Sequence, residues 1–131
     1  MLLFNLLKPK CINSIFFRHA EEVPGDNDSN ELAFVCQQPP YKEDPCLPGW
    51  KFDVHSFKCF IVKTTRANFA NAIKGCSTYG SDVRLASVHN VATNALLSYL
   101  AKDEKVWLGG SKTKSRNFEW LDGSDWDYDK W

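Results

Sequence analysis

Five single cysteines constrain this chain more than any other feature of its sequence. They are isolated from one another, with no pair at the spacing of a zinc site, and they lie at Cys11, Cys36, Cys46, Cys59 and Cys76. Widely spaced cysteines in a chain rich in loops and aromatic residues are typical of secreted disulfide proteins. Because the number is odd, at least one thiol lacks a partner within the chain. The sequence therefore predicts an extracellular or secreted protein stabilised by disulfide bonds.

The stretch GWKFDVHSFKCFIV predicts a β-hairpin. Two strand-like runs surround a turn at Asp53–Ser56. If the two strands pair, Cys46 and Cys59 fall near one end, within the ~5.5–6 Å between Cα atoms that a disulfide needs. We therefore expect a disulfide between these two cysteines, worth about 3 kcal/mol on a loop-entropy estimate.

A first helix is predicted in TTRANFANAIKGCSTYG, directly after the hairpin. Thr64 or Thr65 is its candidate N-cap, and Gly80 its stop. Residues at three- and four-residue steps give it an inward face, which consists of Phe69, Ala72, Ile73, Cys76 and Tyr79. Cys76 is thereby expected to point towards a core or a bond partner.

A second helix is predicted in HNVATNALLSYLAKDEK, with Asn90 as its N-cap. Its inward stripe consists of Thr93, Leu96, Leu97 and Leu100. Short strands are predicted at VRLASV, VWLGG and RNFEW, and a turn at Asp122-Gly123. The order β-β-α-β-α-β-β describes an α+β domain.

Acids and large aromatics alternate in the last fifteen residues, NFEWLDGSDWDYDKW. Aspartates alternating beside a glycine suggest a calcium loop, and they are Asp122, Asp125, Asp127 and Asp129. Their spacing does not match an EF-hand, which needs a bidentate Glu at its twelfth position. A solvated turn between packed aromatic rings is the favoured interpretation, so no metal site and no resident cofactor is predicted in this chain.

The region before the hairpin carries weaker signals. Residues 1–29 have no steady periodicity and are left unassigned, with poor order expected. ELAFVC predicts a short buried strand, and residues 39–45 a proline-rich linker. Asn27 is a candidate N-glycosylation site, while MLLFNLL is too short for a convincing signal peptide. No apolar run reaches the length of a membrane span.

Charge and histidine placement argue against two functional classes. Sixteen basic residues balance sixteen acidic ones with no basic stripe, so no nucleic-acid partner is predicted. The histidines at positions 19, 55 and 89 have no Ser or Cys and acid in a recognised catalytic order. A Cys76–His89 pair could mimic a thiol–imidazole couple, but Cys76 lies on the inward helix face. The chain is therefore predicted to be no enzyme, with no catalytic residues.

From position 46 onward, five segments in the right order resemble the C-type lectin-like domain family. CLPGW and FKCF resemble its N-terminal hairpin, and FANAIKGC its first helix. LASVHNVATNALLSYL resembles the next strand and second helix, VWLGG a later strand, and FEWLDGSDWDYDKW the approach to the ligand loop. The resemblance implies a family core motif of Trp107, Gly109, Trp120, Asp122, Gly123 and Trp131. It also implies the α+β lectin-like fold, with two helices and a short antiparallel sheet, incomplete at the C-terminus.

The resemblance also changes the interpretation of the cysteines. NELAFVCQQPP resembles the family's last strand, so residues 30–38 are interpreted as the final strand of a preceding module and 46–131 as a partial second module. Cys36 and Cys76 are then half-cystines without their expected partners, and Cys11 has no family position. We accordingly expect a marginally stable chain whose hairpin lacks a neighbouring strand.

In function, the resemblance implies a non-catalytic extracellular recognition module. The full-length parent is expected to bind carbohydrate or glycoprotein, with Ca²⁺ as its candidate cofactor. The family's calcium motifs are absent from this chain, so no sugar-binding residue is assigned in it. The alternative is a lectin-like domain without a calcium or sugar site that binds a protein partner, or a non-functional fragment.

Overall fold

The computed structural model describes residues 31–39, 46–102, 104–112 and 117–131. Its strands and helices are, in chain order, β1 (Leu32–Gln38), β2 (Lys51–Asp53), β3 (Lys58–Ala67), α1 (Phe69–Ser77), β4 (Arg84–Leu85), α2 (Val91–Leu100), β5 (Val106–Trp107), β6 (Gly110–Lys112) and β7 (Phe118–Trp120). The α+β architecture with two helices and a short, mainly antiparallel sheet is confirmed. The expectations for residues 1–29, Cys11, Asn27 and the linker beyond Pro39 lie outside the described residues.

Strand β1 lies in the middle of the main sheet. It pairs antiparallel with β3 on one side and β4 on the other, and parallel with β5. Its residues from Ala33 to Gln38 are buried. β1 was expected to be the final strand of a preceding module, but it closes the sheet of this domain. The hairpin β2–β3 was expected to lack a neighbouring strand, but β1 pairs with its β3 strand.

Two disulfide bonds join the described cysteines. The Cys46–Cys59 bond, with 5.6 Å between Cα atoms, confirms the expectation for the hairpin. Cys36 of β1 bonds to Cys76 of α1 across 5.4 Å, so the interpretation of these two as half-cystines without partners is wrong. The error arose because Cys36 was assigned to a separate module, whereas sheet pairing brings it beside α1.

Helix α1 begins later than its sequence signals predict. Its N-cap is Asn68, whose side-chain oxygen accepts the Asn71 N–H at 2.9 Å. Thr64 and Thr65 belong to β3, which continues to Ala67 because its pairing with β1 extends that far. The helix ends at Ser77, before Gly80.

The predicted inward face of α1 is only partly correct. Phe69, Ala72 and Cys76 are buried, and Tyr79 packs edge-on against Trp50 at 5.3 Å between ring centroids. Ile73, by contrast, is exposed. The packed face of α1 therefore consists of Phe69, Ala72 and Cys76.

Helix α2 matches its prediction more closely. Asn90 caps it by accepting the Thr93 N–H at 2.8 Å. Thr93 and Leu97 are buried, while Leu96 and Leu100 are partly buried against the core. The Thr93 hydroxyl also donates to Asp53 at 2.6 Å, which ties the helix start to the hairpin.

The core has two connected parts on opposite sides of the sheet region. One centres on Val35, Phe60, Leu97 and Trp120, and the other on Phe34, Phe69, Trp107 and the Cys36–Cys76 bond. Because β1 contributes alternate residues to both, it joins the two parts. Removing β1 would open both at once.

Candidate functional site

The segment from Phe118 to Trp131 is the candidate functional site, since the sequence resemblance places the approach to a ligand loop there. It begins with β7, which pairs with β6, and then turns at Gly123, whose φ of +78° suits glycine. From Ser124 onward it has no regular secondary structure. Its position is therefore determined by side-chain contacts with the folded body.

The carboxylate of Asp122 forms the main polar contact of this segment. Gln37 of β1 donates to it at 2.7 Å, the Ser87 hydroxyl at 2.5 Å, and the Lys58 ammonium lies 3.4 Å away. Ser124 donates to its other oxygen through both the hydroxyl and the backbone N–H. We name these five residues, Gln37, Lys58, Ser87, Asp122 and Ser124, the Asp122 cluster.

The Asp122 cluster fixes the charge of its central carboxylate. Burial acts to raise the pKa of Asp122, but the hydrogen bonds from Ser124, Ser87 and Gln37 outweigh it and hold the pKa far below its ordinary value. The carboxylate is therefore ionised throughout the physiological range. It crosslinks β1, β3 and the segment after β4 to the turn that follows β7.

His89 adds a second link next to the Asp122 cluster. Its Nδ1 lies 2.6 Å from the Asp127 carboxylate, and its Nε2 lies 3.0 Å from the Ser124 hydroxyl and 3.1 Å from that of Ser87. The hydrogen bond to His89 lowers the pKa of Asp127. Both ends of the imidazole therefore connect the start of α2 to the segment after β7.

This order of acid, imidazole and hydroxyl resembles a nucleophile relay, but its hydrogen bonds are arranged differently. Both hydroxyls near His89, those of Ser87 and Ser124, also donate to the Asp122 carboxylate. An activated nucleophile instead directs its hydroxyl proton to the base and its oxygen to a substrate. The Cys76–His89 couple considered from sequence is excluded, because Cys76 is bonded to Cys36.

A ladder of aromatic rings holds the same segment from its other side. Trp120 is buried and stacks on Trp126 with 4.4 Å between ring centroids, and Phe118 follows at 5.3 Å. Trp131 lies 6.1 Å from Trp120 and 5.0 Å from Tyr128. Trp120 and Tyr128 are thus part of the core, and Trp126 and Trp131 pack against it.

Tyr128 completes the attachment. Its hydroxyl donates to the Lys130 carbonyl at 2.5 Å and accepts from the Asn94 amide of α2 at 3.4 Å. Burial, opposed by the Asn94 bond and reinforced by the nearby Asp129 charge, raises its pKa. The hydroxyl therefore stays protonated and serves as a fixed donor.

The aspartates of this segment are spread over separate contacts. Ca²⁺ takes ~6–8 oxygen ligands around one point. Asp122 is held in its cluster and Asp127 by His89, and among the described residues no three His, Cys, Asp or Glu side chains lie together as a metal group would require. Asp122 and Asp127 therefore act as anchors of this segment.

Two glycines lie where packed elements approach each other closely. A Cβ on Gly109 would lie 2.8 Å from the backbone oxygen of Leu85, and the Gly109 carbonyl accepts the Leu121 N–H at 2.8 Å. A Cβ on Gly75 of α1 would lie 2.8 Å from the Phe34 ring of β1. Trp107 is buried nearby and donates its indole N–H to the Ala67 carbonyl at 2.9 Å.

A cleft of about 380 Å³ lies on the other side of Asp122. It is lined by Gln37, Gln38, Pro39, Ser56, Phe57, Lys58, Asp82, Arg84 and Asp122. Phe57 at its edge is 69% exposed and has a φ of +56°, which is unusual for a bulky residue. Val54, at the same hairpin tip, is 64% exposed. The sequence marked this stretch only as a turn, and neither its exposure nor its backbone conformation could be derived from the hairpin pattern.

Sequence reasoning singled out Asp122, Gly123 and the tryptophans but missed their polar partners. Gln37, Lys58 and Ser87 come from three separate parts of the chain, and no motif links them. The contact of His89 with Asp127 was not anticipated from the sequence either. Only the tertiary pairing of β1 with β3 and β4 brings these side chains together.

Comparison with known proteins gives a consistent result. The family model described as Lectin C-type domain matches residues 65–131. A protein named Lectin from Pleurodeles waltl is 33% identical over 94 residues, covering 67% of this chain and 54% of the relative. Snaclec echicetin subunit beta from Echis carinatus sochureki is 35% identical over 91 residues, covering 66% of this chain and 72% of the relative.

Further comparisons set the limits of the match. Snaclec 3 from Daboia siamensis is 33% identical over 91 residues, covering 66% of this chain and 60% of the relative. The chain thus spans little more than half the length of the first relatives that it matches. No solved structure matches it significantly. Within the described residues, no helix is long and apolar enough to cross a bilayer. The sequence match, the two helices with their small sheet, and the shared segments together show that this chain belongs to the C-type lectin domain family.

Proposed function

We propose that this chain is part of a non-catalytic extracellular recognition module whose full-length parent binds carbohydrate or glycoprotein. The observation that carries the proposal is the fixed path of the segment from Trp120 to Trp131. The Asp122 cluster and His89 hold one side of this segment, and the aromatic ladder holds the other. A support that is rigid before ligand arrives lowers the entropy cost of recognition.

No ligand-contacting residue is assigned among the described residues of this chain. Asp122 and Asp127 are engaged as anchors of the segment from Trp120 to Trp131. Ca²⁺ is the candidate cofactor of the parent, as the family resemblance implies. The relative named Lectin from Pleurodeles waltl supports a carbohydrate ligand.

Two further features support an extracellular, non-catalytic role. Buried disulfides such as Cys36–Cys76 persist in oxidising compartments. The hydroxyls beside His89 are bound to the Asp122 carboxylate, an arrangement suited to anchoring. Balanced charge supports a neutral or glycan partner over nucleic acid.

The test uses the longest natural form of the parent, applied to mannose- and galactose-substituted resins in Ca²⁺. We expect retention on one resin and release by chelator. The 131-residue chain is the matched control and should pass through both resins. If the parent passes through both and binds a glycoprotein-coated surface equally before and after enzymatic deglycosylation, the carbohydrate proposal is wrong.

A protein partner is the second candidate, and one observation favours it. Phe57 and Val54 expose large apolar side chains beside the 380 Å³ cleft, and Phe57 does so in a backbone conformation that disfavours bulky residues. The relative from Echis carinatus sochureki is named as a subunit, which describes a protein that assembles with others. On this alternative, Phe57→Asn abolishes binding to the deglycosylated surface, whereas on the carbohydrate proposal it has no effect.

A further inference from the structure

The ring of His89 faces a hydrogen-bond acceptor at each of its two nitrogens. Nδ1 lies 2.6 Å from a carboxylate oxygen of Asp127. The His89 bond lowers the pKa of Asp127, so that carboxylate is ionised at physiological pH and has no proton of its own to donate. A hydrogen bond between these two groups therefore requires the proton to be on Nδ1.

The Nε2 atom of His89 faces two hydroxyl oxygens whose protons are already used. It lies 3.0 Å from the Ser124 oxygen and 3.1 Å from the Ser87 oxygen. Each hydroxyl has a single proton, and each donates it to the ionised carboxylate of Asp122. Because only lone pairs of the two oxygens remain, Nε2 bonds to them when it carries a proton and is repelled by them when it does not.

The hydrogen bonds around His89 are therefore complete only when the ring carries both protons. If Nε2 loses its proton, the hydroxyl of Ser87 or Ser124 has to turn towards it, and Asp122 loses one of its donors. If Nδ1 loses its proton instead, a nitrogen lone pair faces the Asp127 carboxylate. Either neutral form gives up one contact that attaches the segment after β7 to the folded body.

The charges around the His89 ring favour its second proton. Asp127 contacts the ring, and the Asp122 carboxylate lies directly beyond the two hydroxyls. Two groups act in the opposite direction: the Lys58 ammonium of β3, 3.0 Å from the Ser87 oxygen, and the start of α2, whose dipole amounts to about half a positive charge. Because Lys58 is itself paired with Asp122 at 3.4 Å, the direct contact with Asp127 decides the balance.

We propose that His89 is a positioning residue of the candidate functional site, which holds the segment after β7 in place while its ring carries both protons. Histidine changes charge between about pH 5 and pH 8, so the segment is held in mildly acidic solution and loosens as the pH rises. Asp122 acts in the opposite direction, because its contribution is lost as the pH falls. The proposal concerns the attachment of the segment, so it stands or fails independently of the proposed carbohydrate binding.

The test follows protection and protonation in the same full-length chain. Amide hydrogen exchange of residues 124–131 is measured from pH 5.5 to pH 8.5, with each rate corrected for the intrinsic effect of pH on exchange. Protection should fall by about tenfold over this range, the effect of losing one charge-assisted hydrogen bond. In a sample with ¹⁵N-labelled histidine, NMR of the His89 ring should show its second proton leaving with the same pH midpoint.

Two histidine variants separate this role from a general effect of pH. His89→Gln keeps a polar side chain that cannot change charge, so residues 124–131 should be equally protected at pH 5.5 and pH 8.5. His55→Gln, at an exposed histidine of the hairpin turn, is the matched control and should keep the wild-type profile. The proposal is overturned if protection of residues 124–131 in the wild type does not fall as the pH rises, if the two midpoints differ, or if His89→Gln retains the wild-type profile.

Discussion

The strand β1 and the segment after β7 both pack on the same folded body, but different forces hold them. β1 is buried between three strands and bonded through Cys36. The segment after β7 has no regular secondary structure beyond Ser124 and is held by Asp122, by His89 and by stacked rings. The first attachment depends on apolar burial and a covalent bond, and the second depends on ionised carboxylates together with ring stacking.

The two attachments therefore have different roles. β1 stabilises the domain as a whole, whereas the anchors of the segment after β7 hold the candidate site in position. Because β1 joins both parts of the core, its loss should affect the whole domain. The segment after β7 contributes fewer buried residues, so weakening its anchors should release it while the body remains folded. The five predictions that follow test this division, from the largest expected effect to the smallest.

The largest effect should come from the disulfide that holds β1. Replacing Cys36 and Cys76 together with Ser opens a bond across 40 residues, and should lower the free energy of unfolding by about 4 kcal/mol. The matched pair Cys46→Ser and Cys59→Ser opens one across 13 residues and should cost about 3 kcal/mol. Urea unfolding midpoints measure both. A larger loss for the Cys46–Cys59 pair would contradict a central role for β1.

Two glycine substitutions compare the packing under the two regions. Gly109→Ala places a methyl group against the Leu85 backbone oxygen, which cannot move aside, and should cost about 3 kcal/mol. Gly75→Ala brings a methyl group against the Phe34 ring, but the higher helix propensity of Ala offsets part of that clash, so it should cost about 1 kcal/mol. Thermal unfolding midpoints show which of the two variants is the less stable. If Gly75→Ala is the less stable one, the Phe34 ring yields less than the Leu85 backbone does.

Removing the central charge of the Asp122 cluster should free the segment after β7. Asp122→Asn loses charge-assisted hydrogen bonds from Gln37 and Ser87, for about 2 kcal/mol. Asp125→Asn, at an exposed site, is the control and should change stability by less than about 0.5 kcal/mol. Amide hydrogen exchange should rise in residues 121–131 and not in β1. Equal exchange increases in both regions would remove the distinction between them.

Acid should weaken the same region first. The pKa of Asp122 is lowered in the folded protein, so its contribution to stability is fully present above the unfolded pKa of about 3.9 and is lost as the pH falls through the lower folded value. Asp53 behaves likewise, because hydrogen bonds from Ser56 and Thr93 outweigh its burial and lower its pKa.

Urea midpoints measured from pH 6 down to pH 2 test this dependence. The wild-type midpoint should fall below about pH 4, and the fall should be shallower in Asp122→Asn. Parallel profiles for the two proteins would mean that Asp122 does not titrate as its hydrogen bonds imply.

The smallest effect should come from the hairpin tip. Phe57→Asn removes an exposed ring at a position of positive φ, which Asn tolerates, and should change the free energy of unfolding by less than about 0.5 kcal/mol. Urea unfolding at pH 7 measures it. A loss as large as that of Asp122→Asn would mean that the Phe52–Phe57 ring contact, at 5.7 Å between centroids, supports the core.

Local signals in the sequence predicted local structure well. The turn between β2 and β3, the Cys46–Cys59 bond and the Asn90 cap each depend on residues close in the chain. The start of α1 was misplaced because Thr64 and Thr65 satisfy the capping pattern, whereas long-range pairing with β1 keeps them in a strand.

Contacts distant in sequence could not be predicted in the same way. Leu32 pairs with Ala67 and Ala33 with Val106, and nothing in either segment specifies the other. The tryptophans and Asp122 of the candidate site stood out by composition, but Gln37, Lys58 and Ser87 are ordinary polar residues until the sheet brings them together. The family resemblance correctly identified residues 30–38 as a closing strand of a lectin-like sheet. It assigned that strand to a preceding module, whereas the strand closes the sheet of this domain.

The most direct test of the account is a disulfide map of the oxidised, full-length chain. Proteolysis without reduction, followed by mass spectrometry of the linked peptides, identifies the partner of each cysteine. The account predicts a Cys36–Cys76 peptide and a Cys46–Cys59 peptide in near-stoichiometric yield. Recovery of Cys76 as a free thiol, or bonded to Cys11, would contradict the conclusion that β1 closes this lectin-like sheet.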